Sequence, residues 1–281
     1  MNTKINNPIL KLLIWVMLIL WSISVLYPLL WTLLDALKDN QQFFLNKPWA
    51  LPEPPLLWSN FSYVWNKYNF GTYFYNSTIV TICSTGLALL LAASTAYVLA
   101  RYEFKGSGLL YVLYIASMMV PFVLALTPLF FLINDMGLLN TKLGLILVYA
   151  ASAVPFGIFV LVGFYKTLPK ELGEAASIDG CSDFGTFFRI MLPLSQPGLI
   201  TVGIMTVLNT WNEFVIGTVL TNIPEKYTLP VGISVMQAEM QYRTEWGPLF
   251  AGLLFTIVPI LILYIFFQKQ IASGITAGAV K

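Results

Sequence analysis

One carboxylate stands well inside an apolar run of this chain: Glu213, within Asn209-Thr210-Trp211-Asn212-Glu213-Phe214. A charge so placed is costly in hydrocarbon and marks a functional candidate. Counted at ~1.5 Å per residue from Gly198, Glu213 falls about 22 Å across a core of about 30 Å, in its outer half. Two readings fit these residues. Asn209, Trp211, Asn212 and Glu213 line a polar pathway, or Glu213 serves as an interfacial anchor or an interhelical lock. Other reactive groups are sparse. The chain contains no histidine, which removes the commonest general base and metal ligand. Cys83 lies in an apolar run and Cys181 in a polar loop, a placement that points to neither a disulfide nor a metal site. No G-x-x-x-x-G-K-[ST] phosphate loop occurs, so the chain itself is not expected to hydrolyse ATP.

A second cluster of polar residues lies in Glu171–Pro197, ELGEAASIDGCSDFGTFFRIMLPLSQP. It reads as two short helices joined by a sharp turn. Pro169 suits a first helical turn, and Glu171 and Glu174 place acids near the positive helix end. Leu168, Leu172, Ala175 and Ala176 fall on the opposite side. Gly180 can adopt the left-handed geometry that ends a helix, and Ser182 or Asp183 can cap the next. Phe184, Phe187, Phe188 and Met191 then stand at i, i+3, i+4 and i+7, one apolar stripe. Pro193 and Pro197 are expected to stop that helix.

Both clusters must be positioned by membrane helices. The 281 residues are 58% hydrophobic and only 10% charged, with mean hydropathy +0.77; soluble domains carry about 25% charged residues. A net charge of +2 without basic clusters argues against a nucleic-acid partner. Apolar runs at about 10–33, 78–100, 109–133, 143–165, 198–220 and 249–268 are long enough to span, and spans in lipid must be helical or closed barrels. The fold class expected is all-α integral membrane, with six transmembrane helices in one bundle and no domain boundary. The first run is too long for a signal peptide and lacks an A-x-A site, so it is expected to be retained. Lys and Arg near the spans, clearest in the short turn from Arg101 to Gly108, favour cytoplasmic termini and a cytoplasmic loop over 166–197. The segment from Asp35 to about Ser77, rich in proline, Trp and Tyr, reads as an outer interfacial lid or a docking surface.

Glu174-Ala175-Ala176, three residues, Gly180, nine residues, then Ile190-Met191-Leu192-Pro193 resembles the EAA motif of ABC-importer permeases, EAA---G---------I-LP, at every defined position. Asp179 and Phe187 or Phe188 resemble the carbohydrate branch, as do Tyr73-Phe74-Tyr75-Asn76-Ser77 and the W-N-E-F run. The tail over 271–281 resembles the GLTAGAVKG-type ending of maltose-type permeases. The resemblance is greatest to their second permease subunit and implies a type I importer bundle in a bacterial or archaeal plasma membrane. It implies a heterodimer with a homologous permease subunit, two cytoplasmic ATPase subunits that bind the ATP and Mg, and an extracytoplasmic sugar-binding protein; no cofactor is expected in this chain. It further implies that Glu174, Ala175, Ala176, Asp179, Gly180, Phe184, Phe187, Phe188, Leu192 and Pro193 couple to the ATPase, the Phe stripe passing movement to the bundle. Gly274, Thr276 and Gly278 would enter the ATPase interface. On the pathway reading, Trp211 stacks on a sugar ring while Asn209, Asn212 and Glu213 bond hydroxyls. The competing classes are a permease for another solute, an ion-coupled secondary transporter and a membrane enzyme. The last two need convergent charges that the spans lack.

Overall fold

The computed structural model describes residues 8–242 and 244–279, with side chains up to Gln270. Among the described residues there is no strand. In chain order the helices are α1 (Pro8–Asp35), α2 (Asn40–Leu45), α3 (Ser59–Lys67), α4 (Phe70–Arg101), α5 (Ser107–Ser117), α6 (Leu126–Asp135), α7 (Lys142–Thr167), α8 (Glu171–Ile178), α9 (Asp183–Thr186), α10 (Leu192–Leu194), α11 (Gln196–Asn212), α12 (Val215–Leu220), α13 (Leu229–Glu239) and α14 (Trp246–Ala279). Four are singly long and apolar enough to cross a membrane: α1, α4, α7 and α14.

Two expected spans are broken. Over 109–133, α5 and the stretch Phe122–Asp135 meet at 97°. Pro121 sits at the break with ψ 118; it lacks an N–H and pushes the preceding residue out of helical geometry. Over 198–220, α11 ends at Asn212 and α12 starts at Val215, with Glu213 extended between them (ψ 127). By contrast Pro28, Pro155 and Pro259 lie within continuous helices. The second span starts earlier than its apolar run, at Phe70, so Tyr73–Ser77 are helical.

Contacts divide the chain into two compact units: Met1–Phe70 with Val235–Val258, and Gly71–Ser234 with Pro259–Lys281. All three divisions fall inside helices (α4, α13 and α14), so no loop or composition shift announces them. In the first unit α1 is apolar on every side and exposed along its length, with only Asp35 buried. Asp35 pairs with the buried Lys38 at 2.9 Å, and the Lys38 ammonium also lies 4.7 Å from the Trp31 ring centroid. The side chain of Asn60 donates to the carbonyls of Ala36 and Lys38 at 2.8 and 3.1 Å, which pins the expected outer segment to the end of α1. Tyr63 donates to Glu245, and the Tyr68 hydroxyl, held at Glu239, is pushed up to about 12 by burial and by that carboxylate.

The second unit holds the larger core. Ala92, Ala93 and Ala96 of α4, Ile158, Leu161, Val162 and Tyr165 of α7, and Val202 of α11 form one buried cluster. Small residues set its spacing, as the composition of α4 suggested. A Cβ on Gly157 would lie 2.6 Å from the Cβ of Ala92 and 3.3 Å from a methyl of Val202. Three helices therefore meet at Gly157. Gly86, by contrast, faces open space. Gly157→Ala should destabilise the purified protein by about 1–3 kcal/mol through overpacking, read as a lower melting temperature in detergent; an unchanged melt would show that the three helices are not in this close contact.

Candidate functional site

The loop after α7 is built as the sequence suggested in its first half. Gly180 has φ +75, a conformation that costs a residue with a Cβ. Its N–H donates to Ser177 at 3.1 Å, and the next N–H, of Cys181, reaches back to Ala176 at 2.9 Å. This paired arrangement satisfies the last carbonyls of α8. Of the two proposed caps it is Ser182 that acts, accepting from Gly185 N–H at 3.2 Å. The two faces separate cleanly. Glu174, Ala175 and Asp179 are exposed, whereas Ala176 is buried.

The second half departs from expectation. Pro193 does not stop the helix. The backbone widens into a π turn over Phe187–Met191, where Leu192 N–H bonds to Phe187, just before the ring of Pro193 would press on the preceding turn. The stop comes at Leu194–Ser195, where the axis turns by 75° into α11, with Pro197 in the first turn of α11. The apolar stripe also divides. Phe187 and Met191 are buried in the cluster of α4, α7 and α11, with Leu192 packed against it. Phe187 lies 5.3 Å from Tyr97, ring to ring. Phe184 and Phe188 are 79% and 48% exposed. Of the expected stripe, the Phe187 and Met191 half is the one buried against the spans.

Three groups escaped the sequence reading. Ile178 is 86% exposed; the available signal was its position off the register of Leu172 and Ala176. Arg101, the last residue of α4, donates through Nη2 to the carbonyls of Leu168 and Pro169 at 2.9 and 3.4 Å. Tyr102 donates to Asp183 Oδ1 at 3.0 Å, with the Tyr97 hydroxyl 3.5 Å away. The bond with Tyr97, partial burial and Asp183 hold the Tyr102 hydroxyl above the ordinary tyrosine range. Tyr165 supplies a further brace at the bend. Its hydroxyl lies 3.1 Å from Ser195, whose own proton goes to Leu192.

At the break between α11 and α12, Glu213 is fully occupied. Its carboxylate accepts from the Tyr149 hydroxyl at 2.7 Å, Ile216 N–H at 2.9 Å and Gly217 N–H at 3.2 Å. The side chain thus satisfies first-turn donors of α12 and ties that helix to α7, and competition from these bonds explains why α11 stops here. Gly217 permits the approach, since a Cβ there would meet Val231 at 2.6 Å and the Tyr149 hydroxyl at 3.3 Å. Trp211 is buried, edge to face with Phe74 at 5.8 Å. Asn209 and Asn212 are exposed, the Asn212 amide donating to Leu208. Gly274, Thr276 and Gly278 lie on α14, where side chains are outside the described residues. No cluster able to hold a metal occurs among the described residues.

A family model described as binding-protein-dependent transport system inner membrane component matches residues 84–276. The diacetylchitobiose uptake system permease protein NgcG of Streptomyces coelicolor is 40% identical over 265 residues, covering 94% of this chain and 87% of that protein. The arabinooligosaccharides transport system permease protein AraQ of Halalkalibacterium halodurans is 35% identical over 278 residues and 98% of each chain. Among solved structures, a chain of a bacterial ABC transporter that imports the acidic polysaccharide alginate superposes with TM-score 0.79 at 20% identity, over 95% of this chain and 98% of that one; the two share a fold.

Tyr149→Phe should cost about 1–3 kcal/mol by removing a donor from the Glu213 carboxylate. Unfolding midpoints of Tyr149→Phe, Glu213→Gln and the double variant should be non-additive; additive shifts would mean the bond does not form.

Proposed function

The chain belongs to the family of binding-protein-dependent transport system inner membrane components, and from that membership we propose how its parts divide the work of an ABC importer. It is a permease subunit, a non-catalytic component of the membrane. The proposed cargo is a sugar, because relatives that match over nearly the whole chain carry names of oligosaccharide uptake systems. Its proposed partners are a second, homologous permease, two cytoplasmic ATPase subunits that bind ATP and Mg, and an extracytoplasmic sugar-binding protein. Both termini and the 166–197 loop are placed in the cytoplasm, in keeping with the Lys and Arg distribution.

The observation that carries this reading is the two-sided loop. Its outward side offers Glu174, Ala175, Ile178, Asp179 and Phe184, a small-residue platform rimmed by acids and two apolar knobs. Its inward side, Ala176, Phe187 and Met191, is buried, the last two in the spans' own core. Such an element can seat on a soluble ATPase while moving as part of the bundle. Glu174 can make a charge-assisted bond with a basic partner group, and Gly180 sets the turn. Coupling requires that this docking energy differ between the two transport states. The helical tail carrying Gly274, Thr276 and Gly278 is a second proposed ATPase contact.

Along the pathway, Asn209 and Asn212 are the exposed polar groups proposed to meet solute. Trp211 and Glu213, both occupied within the protein, are proposed to hold the wall behind them.

Ala175→Trp, which keeps the helix but fills the platform, should abolish co-purification of the ATPase subunits and uptake while leaving the bundle folded. Ala175→Cys should crosslink to an ATPase subunit, and labelling of that cysteine only from the cell exterior would overturn the assignment.

A further inference from the structure

We propose that Arg101 and Tyr102 are positioning residues that tie the ATPase-docking loop to α4, so that α4 follows the loop when the loop moves. The inference rests on the docking role given to the loop above. It names residues outside the EAA pattern and a route other than the expected aromatic stripe, half of which is exposed.

The geometry is a tether at two points. Arg101 ends α4 and bonds the carbonyls of Leu168 and Pro169, the first two of the three residues that lead from α7 to α8. These carbonyls sit just past the end of α7, at the negative pole of its backbone dipole, where a cation is favoured. One guanidinium therefore joins the ends of two spans at the entry to the loop. Tyr102, the next residue, reaches the far arm: its hydroxyl donates to Asp183 in the first turn of α9. Entry and return arms are thus both held by consecutive residues at the end of α4. Behind them, Tyr97 of α4 packs on Phe187 and Tyr165, so a pull on the loop reaches the buried face of α4 directly.

The Arg101 fork is also incompletely used. Its Nε is buried and has no hydrogen-bond partner among the described residues. A buried unpaired donor is unfavourable in one fixed state. It leaves the fork a second way to engage carbonyls as the loop shifts, which suits a joint better than a static brace.

Cys83, exposed on α4, offers a reporter of that helix. The assembled complex, carrying Cys181→Ser and bimane on Cys83, is placed in lipid nanodiscs and switched with ATP and vanadate. The expected result is a fluorescence change that Arg101→Met reduces about tenfold, the scale of losing a charge-assisted hydrogen bond. Arg101→Lys keeps part of the change and Tyr102→Phe reduces it to an intermediate level. ATPase co-purification and basal ATP hydrolysis stay at the parent's level in all three, while the melting temperature falls by the cost of the lost bond. A brace with a purely structural role would lower the melting temperature in the same way but leave the nucleotide response intact. A full response in Arg101→Met and Tyr102→Phe, or none in the parent, overturns the tether while the docking role stands. Loss of the ATPase subunits from the parent complex would instead remove the docking role itself.

Discussion

Backbone polar groups at a helix end have no partner within their own helix, and a membrane interior offers no water to supply one. Three irregular points of this chain show how such groups are satisfied. Where α7 ends, Arg101 brings donors to the carbonyls of Leu168 and Pro169. Where α8 ends, Gly180 folds the chain back so that its own N–H and that of Cys181 cover them. Where α12 begins, Glu213 supplies the acceptor for two N–H groups and takes a third bond from α7. Each of these three points hangs on one or two residues: a side chain at the end of α7 and at the start of α12, and two backbone N–H groups at the end of α8.

The same economy shapes the packing. Alanines and glycines bring α4, α7 and α11 to van der Waals contact, and Phe187 and Met191 of the loop enter that same cluster. The loop is therefore no flexible connector draped over the bundle. It has one apolar face shared with the spans and one free face, and the boundary between them passes between Ala175 and Ala176.

Much of this could be read from residue order alone. Apolar run length gives the spans because the bilayer fixes how much chain is needed. The turn at Gly180 is legible because few other residues accept its geometry. The charge inside the fifth run was visible, though not its use. Whether Glu213 faces a pathway or caps a helix depends on where Tyr149 and the N–H groups of Ile216 and Gly217 arrive, and those come from the fold. The misreadings have a common cause. A periodic count assumes an ideal helix, whereas Pro193 is accommodated by a π turn and Pro121 by a full break, so the phase of the Phe stripe and the continuity of the third run could not follow from spacing. Arg101 was legible only as a charge that helps orient the chain, and nothing singled out Tyr102, because their partners lie 67 and 81 residues away.

Ile178 and Phe184 are large apolar side chains held out in solvent on a rigid turn. Nothing within the chain's own loop shelters them. Hydrocarbon left in water this way carries a free-energy cost that a protein surface seated on the turn would relieve.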